Sequence, residues 1–223
     1  MNVYIWTSGT LKNDYIGERQ PFIPSSDTLY YFPLQWDVLD KSGNWRTLSQ
    51  SWTQQTLGRE FVLQWDSSVT LDTTLTNTKT TLAWVYIKNY GWYWQQFILN
   101  TIYWSLLLNN KTNTTRWPVF YYYSWEYNVE YKVNATINKN QWSLVALTLD
   151  TNKYLRWYIN WTQYNIWTVY NYEQNRLAVT ANWVSYTDSS LDVIFSNVIW
   201  EAKTRSKSEL DDYYNNTKSN YWL

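Results

Sequence analysis

Between residues 28 and 201 the apolar residues fall in short runs, many alternating and rich in β-branched and aromatic side chains, each broken by a cluster of Asn, Thr, Asp or Ser. This punctuation is the strongest constraint on the fold. Successive residues of a strand point to opposite faces, so runs this short bury their apolar side by pairing into sheets. The pattern predicts strands near 28–34, 60–64, 69–71, 80–88, 95–100, 103–109, 118–123, 127–133, 142–150, 154–160, 163–169, 176–180 and 191–201. Strands at this spacing argue for an all-β fold, a sandwich or jelly roll of antiparallel sheets.

One segment departs from the strand period. In "TRSKSELDDYYNNTK", Ser206 and Glu209 have the spacing of a capping box, and Leu210, Tyr213 and Tyr214 recur at i, i+3 and i+4. A short amphipathic helix near the C-terminus follows. Residues 1–26 end in "PFIPSS", where Pro21 and Pro24 interrupt pairing, because proline donates no ladder hydrogen bond. This stretch reads as an N-terminal arm or docking segment ahead of one sandwich domain over 27–223. A chain of 223 residues suits one domain with a sizeable core. No repeat with a period of about 20–50 residues points to a solenoid or propeller.

Composition removes whole classes of chemistry. Lys plus Arg and Asp plus Glu both number 18, and no basic cluster stands out, so nucleic acid is not an expected partner. The absence of Cys and His excludes disulfides, thiolate or imidazole metal sites, and Ser-His or Cys-His nucleophile pairs. Carboxylate chemistry and oxygen-ligand ions remain. No apolar run reaches the roughly 18 residues of a membrane helix, so membrane insertion is not expected. The start, "MNVYIWTSGT", lacks the basic and apolar regions of a signal peptide. If the protein works in an extracellular setting, on a virion or on a cell surface, it is expected to arrive there without a recognisable signal peptide.

Tryptophan and glycine are out of balance. Average usage implies roughly 16 glycines in a chain this long, whereas it has 5 glycines and 18 tryptophans. The Asn-, Lys-, Tyr- and Ile-rich makeup indicates an AT-rich gene, which disfavours UGG, the standard Trp codon. Several Trp positions sit where a turn wants glycine: Trp45 in "DKSGNW", Trp52 in "QSW", Trp65 in "LQWD", Trp161 in "WYINWTQYN" and Trp183 in "ANW". The favoured two-residue hairpin turn needs φ > 0 at both central residues, which a bulky side chain resists. Such positions are expected to be UGA codons that the source lineage reads as glycine. The rival reading is a carbohydrate-binding surface paved with Trp.

Five segments follow one another in a telling order. "TLYYFPLQWDVLDKSGNW" (28–45) joins a short strand to a turn of Asp and Gly, and "REFVLQWDSSVTL" (59–71) joins two strands through a small turn. "TLAWVYIKN" (81–89) is a strand with a central Trp. "QWSLVALTLDTNKYLRWYINWTQ" (141–163) carries W-x-x-V-A-x-x-x-D and then a strand ending Y-x-N, and "LDVIFSNVIWEAKTRSKSELDDYYN" (191–215) closes with a strand and an S-x-x-E-L helix start. Together they resemble the laminin-G-like members of the concanavalin A-like lectin and glucanase superfamily, over about 195 residues. That resemblance implies the sandwich and a recognition role. The chain departs from the family where glycine is usual and Trp stands, at Trp36, Trp45, Trp52, Trp65 and Trp161. Trp84 and Trp142 stand where the family itself uses Trp.

Three kinds of site fit what remains. Tyr93, Tyr122 and Tyr164 lie near loops or on the polar side of a strand, where an aromatic face can stack on a sugar ring; partly buried cross-strand pairs are the alternative. Asp37, Asp40 and Asn44 are candidate Ca2+ ligands, because hard cations take carboxylate and carbonyl oxygens from loops, against the alternative of turn hydrogen bonding. No other cofactor is expected. "EYNVE" puts Glu126, Asn128 and Glu130 at period two and resembles the E-x-D-x-E signature of family 16 glycoside hydrolases, with Asn in place of the central Asp. No catalytic residue is assigned on that basis. The expected function is non-catalytic recognition or adhesion on carbohydrate or another cell-surface polymer, in a virion or tail-fibre component of a bacterial virus. The alternatives are a structural sandwich that contacts other virion or surface proteins, and a family 16-like hydrolase.

Overall fold

The structure is a computed structural model that describes the backbone of residues 3–7, 10–14, 22–34, 39–45, 48–50, 55–57, 60–63, 68–71, 79–89, 95–101, 104–110, 115–123, 128–132, 135–152, 154–168, 177–180 and 192–221. Side chains are described for residues 22–34, 39–45, 79–87, 135–152, 154, 156–164 and 195–221. In chain order the strands are β1 (Val3–Thr7), β2 (Thr10–Asp14), β3 (Thr28–Phe32), β4 (Leu48–Gln50), β5 (Gln55–Leu57), β6 (Glu60–Leu63), β7 (Ser68–Leu71), β8 (Thr80–Asn89), β9 (Gln95–Thr101), β10 (Trp104–Asn110), β11 (Thr115–Tyr123), β12 (Asn128–Lys132), β13 (Ile137–Asn138), β14 (Trp142–Leu149), β15 (Tyr154–Ile159), β16 (Thr162–Thr168), β17 (Leu177–Thr180) and β18 (Asp192–Glu201). Helix α1 (Lys207–Thr217) and a 3-10 turn, Lys218–Tyr221, follow.

Strands β1 and β2 form a two-stranded ribbon, and the rest form two antiparallel sheets of eight strands. One sheet runs β12-β11-β10-β9-β17-β7-β4, with β13 beside β11; the other runs β16-β15-β14-β8-β18-β6-β5, with β3 beside β18. The chain is all-β with a short C-terminal helix, as its periodicity predicts. Each predicted strand has a counterpart within a few residues. Strands β4, β5 and β13 are two or three residues long and carry too little periodicity to read. The ribbon β1–β2 falls within the predicted N-terminal arm, ahead of its prolines.

Three segments far apart in sequence make the middle of the second sheet. Leu144 of β14 lies opposite Trp84 of β8, and Val85 opposite Phe195 of β18. All eight residues of β14 are buried, with none of the in-out alternation of a half-exposed strand. Such a strand must be covered on both faces. On one face Leu82, Trp84, Trp142, Leu144, Ala146, Tyr158 and Ile199 cluster with Leu210, Tyr213, Tyr214 and Tyr221 of the C-terminal helices. The intervening residues, among them Ala83, Val85, Val145, Leu147, Phe195 and Trp200, are equally buried on the other face.

Local chemistry explains how α1 arrives there. Ser206 accepts from the Glu209 N–H at 3.2 Å, and the Glu209 carboxylate accepts from the Ser206 N–H at 2.8 Å, a complete capping box. Leu210, Tyr213, Tyr214 and Thr217 then face the sheet. Trp84 stacks on Tyr221 at 4.2 Å and on Tyr214 at 5.6 Å, and its indole N–H donates to Thr217 Oγ1 at 3.3 Å. Trp142 also meets Tyr221, at 4.8 Å. Burying one such aromatic contributes about 1.5–3 kcal/mol, so this platform outweighs the intrinsic helix preference of α1. Glu201 and Arg205 form an ion pair at the join, with side chains 2% and 17% exposed, and the guanidinium lies over Phe22 at 5.5 Å. Phe22 also meets Tyr31 edge-on at 5.0 Å, so the end of the predicted arm packs on the domain.

Candidate functional site

Of the described predicted site residues, Tyr122 and Tyr164 lie in different sheets, whereas Asp40 and Asn44 share one turn. Tyr93, Asp37 and Glu126 lie outside the described residues. Tyr122 is in β11, opposite Trp104 of β10 and Val129 of β12, and Asn128 and Glu130 are both in β12. Tyr164 is in β16 opposite Trp157 of β15, and is half-buried.

Asp40 and Asn44 organise a turn along the outer edge of β3. Asp40 Oδ1 accepts from the N–H of Tyr31 at 3.0 Å and of Ser42 at 2.9 Å, while Oδ2 accepts from the Ser42 hydroxyl at 2.8 Å. The Lys41 N–H donates to the Tyr31 carbonyl at 2.7 Å. The Asn44 amide donates to the carbonyls of Thr28 at 2.9 Å and Leu29 at 3.0 Å. Loop side chains thus satisfy backbone groups that an open edge strand would offer to another chain. Gly43, at φ +90°, and Trp45, at φ +52°, are both left-handed in this turn. Trp45 is 90% exposed.

A second turn joins β15 to β16 through Asn160 and Trp161. Asn160 exchanges two bonds with Leu144, its N–H donating at 2.8 Å and its amide oxygen accepting at 2.9 Å. Its φ is +55°, whereas Trp161 is absent from the positive-φ residues. Positive φ at the first central residue alone is the sign pattern of a type II′ turn, not the type I′ turn the sequence suggests. The structure therefore corrects the expected demand for positive φ at 161: Asn160, which tolerates that region, meets it. Trp161 is 59% exposed and meets the Tyr214 ring edge-on at 5.4 Å; the Lys218 ammonium lies 5.5 Å from that ring.

At the opposite end of β15, Asp150 closes the β14–β15 turn, accepting from the N–H groups of Asn152 and Tyr154, both at 2.9 Å, and from Arg156 at 2.8 Å. Desolvation pushes this carboxyl up, but the Tyr154 N–H and Arg156 outweigh it and leave it below the ordinary value. Among the described carboxylates, Asp150, Glu201, Glu209 and Asp211 each bond to a cation. Beneath α1, Tyr31 donates to Asn197 at 3.0 Å, Asn197 to Tyr221 at 2.8 Å, and Tyr221 to Ser196 at 3.0 Å. Burial pushes the Tyr31 phenol up to about 12, against a hydrogen bond with the Phe22 backbone. Sequence periodicity does not reveal this network, because its members are up to 190 residues apart, from Tyr31 to Tyr221.

The described surface carries exposed rings near cations: Trp161, whose Tyr214 partner lies near Lys218, and Tyr154 near Arg156. No family model matches the chain, and no curated protein matches it in sequence. Its fold is similar to that of botulinum neurotoxin binding domains. These include a type C structure described by the dependence of cell entry upon interaction with two ganglioside molecules, a neurotoxin DC binding domain in complex with rat synaptotagmin II, and that domain in complex with SialylT. Each is 13% identical at a TM-score of 0.66, covering 86% of this chain and 51% or 52% of its own. The chain thus spans about half the length of these structures, with which it shares a fold.

Proposed function

We propose that this chain is a non-catalytic recognition module for carbohydrate or another cell-surface polymer, a laminin-G-like jelly-roll sandwich over 27–223 behind an N-terminal segment. The observation that carries this reading is the fold likeness across most of the chain to receptor-binding domains. A recognition role also suits a half-buried ring paired within a strand, since stacking on sugar rings needs an apolar face with polar groups around it. Tyr164 is the described tyrosine we assign to such contacts, with Tyr93 and Tyr122 as further members. Asp37, Asp40 and Asn44 are proposed Ca2+ ligands, tested by whether calcium raises the melting temperature. The setting we propose is extracellular, on a virion or tail fibre, and its test is detection of the chain in purified particles.

The test of recognition is an array of ganglioside and other surface oligosaccharides. Binding to a restricted set, weakened about tenfold or more by Tyr164→Ala with unchanged melting, is expected. No binding by a chain that self-associates in solution would replace this reading with a structural sandwich. Reducing-sugar release abolished by Glu130→Gln would replace it with a hydrolase.

A further inference from the structure

Five described non-glycine residues have positive φ: Leu34, Trp45, Asn140, Asn160 and Asn197. Asparagine visits the left-handed region readily, because its short amide bonds locally. Leu34 is only 6% exposed, so packing can hold it there. Trp45 has neither compensation. Its φ is +52° and its side chain is 90% exposed, so burial returns nothing for the clash between its Cβ and the backbone. For a residue with a Cβ that clash reduces the population of the conformation by roughly five- to thirtyfold.

Backbone strain persists only where the surroundings dictate it, and here they do. The bonds from Asp40, Ser42 and Asn44 to one another and to β3 clamp the chain up to residue 44, after Gly43 at φ +90°. The turn sets the backbone at 45, and an indole gains nothing from it. Four other tryptophans are the opposite case. Trp84, Trp142, Trp157 and Trp200 are between 0% and 5% exposed, lie within strands and have no positive φ. Among the described tryptophans, Trp45 therefore stands apart from these four by structural environment. At 161 the backbone makes no such demand, since φ there is not positive and the indole touches Tyr214.

We infer that residue 45 is glycine in the protein its source cell makes, encoded by UGA that this cell reads as glycine, while positions 84, 142, 157 and 200 are tryptophan encoded by UGG. This inference is independent of the recognition role. It removes the most exposed indole among the described residues from any account of a binding surface.

Reading the gene's triplets, together with the mass of the peptide spanning residue 45 in protein from the source cell, tests it. Expected are UGA at 45, UGG at the four core positions, and a peptide lighter by the difference between an indole side chain and a hydrogen. UGG at 45, an indole in that peptide, or UGA at Trp84 would each overturn it. In recombinant protein Trp45→Gly should raise the folded-to-unfolded ratio about five- to thirtyfold. An unchanged or lowered ratio would count against a turn built for glycine.

Discussion

The sheet beneath α1 and the turn along β3 use the same side chain in opposite ways. At Trp84 the indole is fully buried, stacked on Tyr221 and Tyr214, with its N–H bonded to Thr217. At Trp45 it stands almost fully in solvent on a left-handed backbone. An indole stabilises through the area removed from water and the rings it meets, so the first site gains nearly all that the residue can give. The second gains almost none and carries a conformational penalty. What matters for tryptophan in this chain is the layer above it.

The contrast can be broken at its strong end first. Trp84→Ala should lose about 3–5 kcal/mol in denaturant unfolding, because it removes the platform under both C-terminal helices. A loss near 1 kcal/mol would mean that the helices dock without it. Trp45→Gly should move the other way, gaining about 1–2 kcal/mol in the same assay; a loss would erase the distinction between core and corner. Ser206→Ala, which removes the cap of the helix covering Trp84, should lose about 1 kcal/mol, visible as a lower melting temperature and reduced helical circular dichroism.

Acid sharpens the comparison more gently. A bond from Lys203, then the Ser206 N–H, pulls the Glu209 carboxyl down from its ordinary value to about 2. A depressed folded-state value means that the stabilisation is complete above the unfolded value, near 4.5, and is lost as pH falls towards 2. Its side chain is 36% exposed and its Lys203 partner 47%, so solvent screens the pair and the loss should stay below about 1 kcal/mol. Glu209→Gln should flatten the melting-temperature profile over that interval; an unchanged slope would assign it to other groups. Smallest of all, Trp161→Ala should lose about 0.5 kcal/mol, the order of one edge-on contact with Tyr214 at an exposed site. A loss as large as that of Trp84→Ala would make this corner part of the core.

Much of the scaffold is legible in the residues because its rules are local. Strands of seven or more residues announce themselves as alternating or continuous apolar runs, and α1 by its Ser206–Glu209 box and by Leu210, Tyr213 and Tyr214 on one side. The candidate site is far less legible. Asp40 and Asn44 look alike as turn formers and as cation ligands; the bonds they make along β3 need residues 28–31 beside them, which the local pattern does not reveal. The hairpin at 160–161 shows the limit of motif reasoning, since the dipeptide indicates a tight turn but not which residue takes positive φ. Nothing in the local pattern around Phe22 places it against both Tyr31 and Tyr213; the docked helix brings those rings together.

By itself the sequence determined which segments are strands, where the C-terminal helix begins, and which chemistries a chain without Cys or His cannot perform, because each depends on neighbouring residues or on composition. Tertiary structure decided which tryptophans are covered, that β14 is buried on both faces, and that the loop at 39–45 closes the edge of β3. Those outcomes depend on residues brought together from up to 190 positions away, and burial is a property of the layer that arrives, not of the segment that receives it.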